Sequence, residues 1–149
     1  MPHSLVARLA LAFMLFVCGM ALWRGRWPER TVALTYLAQE ALYLALYDPT
    51  DRINPQWEEF FMDVIVLGIV AYVAVKSNRN WVKYITALQM LAVANHLALA
   101  IDLRIDTYVS FMMGAIGSIA DLLLLLFGTV QVMLWDQRDR GSVKVGAQG

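Results

Sequence analysis

The feature that most constrains this chain is a series of five long apolar stretches separated by short polar segments. A transmembrane helix needs roughly 20 mostly apolar residues to cross about 30 Å of hydrocarbon. Hydrophobic residues make up 60% of the chain and charged residues only 16%, whereas soluble domains average about 45–50% and about 25%. We therefore predict an all-α polytopic membrane helical bundle of five transmembrane helices in the lipid bilayer. The predicted spans of this single membrane domain are residues 5–23, 31–47, 57–75, 81–101 and 108–135, and residues 141–149 are predicted to form a flexible tail.

Tryptophan positions support these spans independently of hydropathy. All five tryptophans fall at or just beyond the end of a predicted span, where indole rings prefer the headgroup region of the membrane. The tryptophans are Trp23, Trp27, Trp57, Trp81 and Trp135.

The second span is short and carries Gln39 and Glu40, and whether it crosses fully stays open.

Basic residues predict the orientation of the spans. When the spans alternate in direction, nine of the 12 basic residues fall on one side of the membrane and three on the other. Short loops rich in Lys and Arg stay in the cytoplasm, so we expect the N-terminus outside and the C-terminus in the cytoplasm. The nine are Arg24, Arg26, Arg30, Lys76, Arg79, Lys83, Arg138, Arg140 and Lys144, and the three are Arg8, Arg52 and Arg104.

Ionisable and amide side chains inside the predicted spans are the candidate functional residues, because such groups are costly in lipid. At 1.5 Å of rise per residue from the basic side, Asp63 and His96 both lie ~18 Å deep on adjacent antiparallel helices, which predicts that they meet. Glu40 and Asp121 match less closely, at ~14 and ~21 Å. The predicted intramembrane polar or proton site comprises Glu40, Asp63, Gln89, His96 and Asp121.

These candidates have structural and functional interpretations that the sequence leaves open. A hydrogen bond between His96 and Asp63 would fix the contact of two helices, whereas a pair that exchanges protons would suit a relay. A metal or haem site is a third alternative, but the chain holds only two histidines and one cysteine, so we predict neither metal nor cofactor. Glu40 and Asp121 are interpreted as carboxyl groups held neutral inside the bundle, or as a pair sharing one proton if they meet.

The fifth span carries a face of small residues that predicts close approach of a neighbouring helix. Its members are Gly114, Gly117 and Ser118.

Two function classes are disfavoured by the sequence. It contains no catalytic motif of the serine-hydrolase, zinc-protease or phosphate-loop kind, so no catalytic residue is predicted. Basic and acidic residues are equal at 12 each, and such a chain has no global positive field to attract nucleic acid. We therefore predict a non-enzymatic protein that does not bind nucleic acid.

The segment Lys76–Trp81, with Gln89 and His96 on the helix that follows, resembles a pattern in small polytopic membrane proteins of alphaproteobacteria. Pro28-Glu29-Arg30 near the first loop is similar as well, while Val82 stands where that pattern usually has proline. The resemblance covers most of the chain. It implies a place in the bacterial inner (plasma) membrane and no particular activity.

Together these features predict a small accessory or interaction subunit of a larger membrane complex, or a homo-oligomer, in place of an enzyme. The competing class is a small transporter or channel subunit that moves protons or cations past Glu40, Asp63, His96 and Asp121. The substrate, the partner and the oligomeric state stay open.

The predicted orientation can be measured with reporter fusions. Because the basic loops are expected in the cytoplasm, green fluorescent protein fused after Gly149 should fluoresce and alkaline phosphatase at the same place should be inactive. Alkaline phosphatase fused at the N-terminus should be active. If both termini report the same side of the membrane, the first or second predicted span has been misjudged.

Overall fold

The computed structural model describes residues 5–46, 57–101 and 107–146. This part of the chain contains five helices and no strand, which confirms the all-α prediction. The last helix continues past the predicted span, so residues 141–146, predicted as a tail, are helical, and residues 147–149 lie outside the described residues. The helices are α1 (Leu5–Arg24), α2 (Trp27–Leu46), α3 (Trp57–Ser77), α4 (Asn80–Ile101) and α5 (Thr107–Gly146).

A capping interaction explains why α2 begins earlier than predicted. The backbone N–H of Arg26 donates to Oε2 of Glu29 at 3.0 Å, which is how a glutamate in the first turn satisfies a helix N-terminus. Pro28 fits in this turn because the first backbone N–H groups of a helix have no partner within it. The N–H of Gly25 donates to the carbonyl of Ala21 at 2.8 Å, so a tight turn joins α1 to α2.

The turn between α3 and α4 is equally short. Asn78 has a φ of 50°, in the left-handed region that asparagine adopts more readily than most residues. Because only Asn78 and Arg79 separate the two helices, α3 and α4 are antiparallel neighbours.

The helices form a ring in which each contacts the next, α5 closes on α1, and α2 also contacts α5 across the ring. Arg24, Arg26 and Arg79 lie at one end of this ring, which we call the basic end. There Nη2 of Arg26 lies 2.9 Å from Oδ1 of Asp136, and the Arg79 guanidinium lies 4.7 Å from the centre of the Trp135 ring. These two contacts tie α5 to the α1–α2 and α3–α4 turns.

Small and branched apolar side chains fill the space between the helices, and large apolar side chains cover much of the outside. Within the described residues, two helical segments have the length and apolar composition needed to cross a membrane, Glu59–Ser77 and Gly114–Arg138, each with a mean hydropathy of 1.9. This is weakly compatible with a membrane location. Fully buried core residues include Val17, Val32, Val70, Val73, Val82, Ile85, Leu125 and Val132.

The position of Trp81 at the end of a span predicts that it faces the headgroup region, and that prediction is wrong. Trp81 packs in the core. Its side chain is only 3% exposed. A Cβ atom added to Gly128 of α5 would overlap the Trp81 indole at Cε2 and Nε1, so the missing side chain of Gly128 makes room for the ring. The other tryptophans are exposed, and these are Trp23, Trp27, Trp57 and Trp135.

The contact between Gly128 and Trp81 can be tested with a matched pair of glycine substitutions in α5. Gly128→Ala should destabilise the protein by about 1–3 kcal/mol, because overpacking forces the indole to move. Gly117→Ala is the control, since a Cβ there would meet nothing within 4 Å. Thermal unfolding in detergent measures both. Equal midpoints for the two variants would contradict the contact.

Candidate functional site

The first polar cluster joins α2, α3 and α4, and we call it the histidine cluster. Nε2 of His96 lies 3.1 Å from Oδ2 of Asp63, and Nε2 of Gln39 donates to Oδ1 of Asp63 at 2.9 Å. Both oxygens of Asp63 are therefore engaged. The side chains of His96 and Asp63 are 21% and 14% exposed. The structure confirms the prediction, from their equal depth, that Asp63 and His96 meet.

Glu59 extends the histidine cluster toward the end of the bundle opposite the basic end. It lies one helical turn before Asp63 on α3 and is partly buried. It interacts electrostatically with both Asp63 and His96. Ionisable groups therefore continue from the cluster toward the start of α3.

The second polar cluster joins α2, α4 and α5, and we call it the buried triad: Tyr36, Gln89 and Asp121. These side chains are 7%, 6% and 5% exposed. Nε2 of Gln89 donates to Oδ2 of Asp121 at 3.2 Å. Tyr36 interacts with both other members, yet its hydroxyl, Oε1 of Gln89 and Oδ1 of Asp121 make no hydrogen bond of standard geometry. Three buried polar atoms of the triad therefore lack a hydrogen-bond partner among the described residues.

The two clusters are neighbours along the bundle. Tyr36 and Gln39 are three residues apart on α2, a rise of ~4.5 Å, and Gln89 and His96 are seven apart on α4, a rise of ~10 Å. Asp63 also interacts electrostatically with Asp121 across the bundle. We call Glu59, the histidine cluster and the buried triad together the polar ladder.

An apolar layer lies between the polar ladder and the basic end. Val32, Val73, Ile85 and Leu125 come from four different helices and are each 0% exposed. On α4 the layer occupies the turns between Gln89 and the helix start at Asn80, a rise of ~14 Å. The polar ladder therefore runs from the end opposite the basic end to the middle of the bundle, where this layer closes it.

The structure does not bring Glu40 to Asp121. The groups that act on Asp121 are Tyr36, Gln89 and Asp63, and Glu40 is partly buried one helical turn farther along α2. Four residues are about one turn, so Glu40 lies ~6 Å farther along nearly the same face of α2 as Tyr36. Tyr36 holds the position beside Asp121 that the depth argument had considered for Glu40.

In the described part of the chain no other helix packs closely on Gly114 or Gly117, and the role of the Gly114, Gly117 and Ser118 face in helix packing stays a prediction. A Cβ atom added at either glycine would meet nothing within 4 Å, and the Ser118 hydroxyl donates to the Gly114 carbonyl of its own helix at 3.0 Å. The same face is filled closer to the basic end, where Trp81 covers Gly128. The neighbouring helices approach α5 at Gly128 and leave Gly114 and Ser118 exposed.

Glu29 is a buried ionisable residue that was not among the candidate site residues predicted from the sequence, where it stands only in the Pro28-Glu29-Arg30 segment of the resemblance. It is 0% exposed, and while Oε2 caps α2, Oε1 has no hydrogen-bond partner in the described part of the chain. A glutamate directly after Pro28 is a recognisable capping signal. Its complete burial could not be predicted, because it depends on the α1–α2 turn folding over it.

The site is a set of hydrogen-bonding side chains, and no metal-ligand group accompanies it in the described residues. Among them, no three His, Cys, Asp or Glu residues are arranged to hold a metal ion. A groove of about 480 Å³ lies on α5 alone, near Trp135 and Arg138, away from the polar ladder. No protein-family model matches the chain, and comparison with curated proteins and with solved structures finds no significant match.

The interaction of His96 with Asp63 is measurable as a coupling free energy. His96→Ala and Asp63→Ala should each destabilise the protein, and the double variant should lose less than the sum. The expected coupling is about 0.6 to 2 kcal/mol, as for other hydrogen bonds between membrane helices. Chemical unfolding in detergent micelles gives the three free energies. Strict additivity would show that the 3.1 Å contact contributes nothing.

Proposed function

We propose that this chain is a five-span protein of the bacterial inner membrane, with its N-terminus outside, that serves as a non-enzymatic subunit of a larger membrane complex or of a homo-oligomer. Each helix has 20 residues or more, which is the length a span requires. The basic end fits the cytoplasmic side by the positive-inside rule. The resemblance to small alphaproteobacterial membrane proteins supports the same location.

The observation that carries the proposal is that the polar ladder is one-sided. Its ionisable groups begin near Glu59, on the side proposed to face outward, and end at Asp121. The apolar layer then separates Asp121 from the cytoplasmic side with fully buried side chains such as Ile85 and Leu125. A protein so built can take up a proton from the outer side and hold it in mid-membrane. It offers no continuous path on its own, which favours a subunit that works with a partner.

The second candidate function is a transporter or channel subunit for protons or cations. It is favoured by the electrostatic interaction of Asp63 with Asp121, which couples the two clusters. In that case the apolar layer must open during each cycle, and Glu40, Asp63, His96 and Asp121 would line the path.

A proton-leak experiment on reconstituted vesicles distinguishes the two candidate functions. We expect vesicles containing the purified chain alone to keep an imposed pH gradient as long as protein-free vesicles do, because the apolar layer blocks the ladder. An entrapped pH-sensitive dye reports the decay, and gramicidin provides the positive control. A faster decay that scales with protein and is lost in Asp121→Asn would establish the conducting function and reject the proposal.

The subunit role has its own measurement. The chain, tagged and solubilised gently at native expression level, should run on native gels well above the 16.8 kDa of one chain. Mass spectrometry and reciprocal purification then distinguish a partner from a homo-oligomer. A particle containing one copy of this chain and no other protein would contradict the proposed role.

A further inference from the structure

The buried triad contains more hydrogen-bond acceptors than donors if Asp121 is ionised. Gln89 already donates to Oδ2 of Asp121. The atoms left over are Oδ1 of Asp121, Oε1 of Gln89 and the Tyr36 hydroxyl. The first two only accept, and the hydroxyl supplies one proton. The second N–H of the Gln89 amide cannot bond its own Oε1, and Oδ1 of Asp121 accepts from no donor in the described part of the chain. The hydroxyl alone would therefore have to serve two buried acceptors, and an acceptor without a partner is costly.

We propose that the buried triad is a proton-binding site in which Asp121 carries a proton on Oδ1 and donates it to Oε1 of Gln89. A carboxylic acid and an amide then form a planar pair in which each group donates once and accepts once. The Tyr36 hydroxyl is left to donate to the pair as its third member. The bound species is a single proton added to the Asp121 carboxylate, with no other bond made or broken.

The surroundings of Asp121 support this assignment. The groups that act on it come from three helices: Tyr36 on α2, Asp63 on α3 and Gln89 on α4. On α1, Cys18 interacts with Tyr36 and is 0% exposed. None of these four is a cation, and Asp63 itself carries a carboxyl group. A buried carboxylate without a cation is far more costly than the neutral acid, so the neutral form suits this place.

The histidine cluster differs from the triad because a side chain that can become a cation lies beside its aspartate. Asp63 lies beside His96, which becomes a cation when protonated, and both oxygens of Asp63 already have partners. Among the residues that the structure describes, Oδ1 of Asp121 has no such partner. The two aspartates thus have different hydrogen-bonding environments within one polar ladder, and this holds whether the protein is an accessory subunit or a transporter.

Infrared difference spectroscopy tests the assignment. In membranes at neutral pH, the wild-type minus Asp121→Asn spectrum should contain the C=O stretch of a protonated carboxylic acid, and that band should move to lower frequency in D2O. Asp63→Asn is the matched control and should leave the band in place. If Asp121→Asn does not fold, Gln89→Leu serves as the second variant. It should shift the band to higher frequency, because the C=O group loses its amide donor.

Two results would overturn the proposal. One is the absence of any protonated-acid band that depends on Asp121 or responds to Gln89→Leu. The other is a carboxylate band assigned to Asp121 that changes when Na⁺ is exchanged for K⁺, which would place a cation at the triad. Neither result depends on vesicle flux or on complex formation. Failure here is therefore distinguishable from failure of the proposed function.

Discussion

The cost of burying polar side chains away from water is the constraint on which this bundle depends. The polar side chains in the middle of the bundle bond to one another, and each such contact here joins different helices. Gln39, Asp63 and His96 connect α2 to α3 and α4, while Gln89 and Asp121 connect α4 to α5. α2 and α4 contribute to both clusters, so the rotation of these two helices determines which side chains face the interior.

Apolar packing and the basic end complement these polar contacts. Valine and alanine recur among the buried residues, which lets the helices approach closely. Where a large ring is buried, at Trp81, the facing helix supplies a glycine, Gly128. At the basic end, Arg26 and Arg79 reach α5 from two different turns. The helices are thus held by charge and aromatic contacts at the basic end, and by hydrogen bonds in the middle of the bundle.

The sequence predicts those features of the fold that follow from length and depth alone. Five apolar stretches predict five helices, and the short turn after α3 predicts that Asp63 and His96 meet, because a tight hairpin makes depth a simple count of residues. The axial position of one helix against a distant helix is a different matter. Whether Tyr36 or Glu40 faces Asp121 depends on how α2 sits against α5, and these helices are far apart in the sequence. The burial of Trp81 and the open face at Gly114 also depend on how closely helices approach, which no periodicity encodes.

The one-sided ladder sets a physical condition on any activity of this protein. On the Glu59 side the ladder offers ionisable and hydrogen-bonding groups as far as Asp121, with a rise of ~10 Å between His96 and Gln89 on α4. Beyond Asp121 the next exchangeable carboxyl group on the way to the basic end is that of Glu29 among the described residues, about two helical turns of α2 from Tyr36. No proton crosses such an apolar distance without water or a movement of the helices. Any release toward the basic end therefore requires that water enter the apolar layer or that the helices around it move.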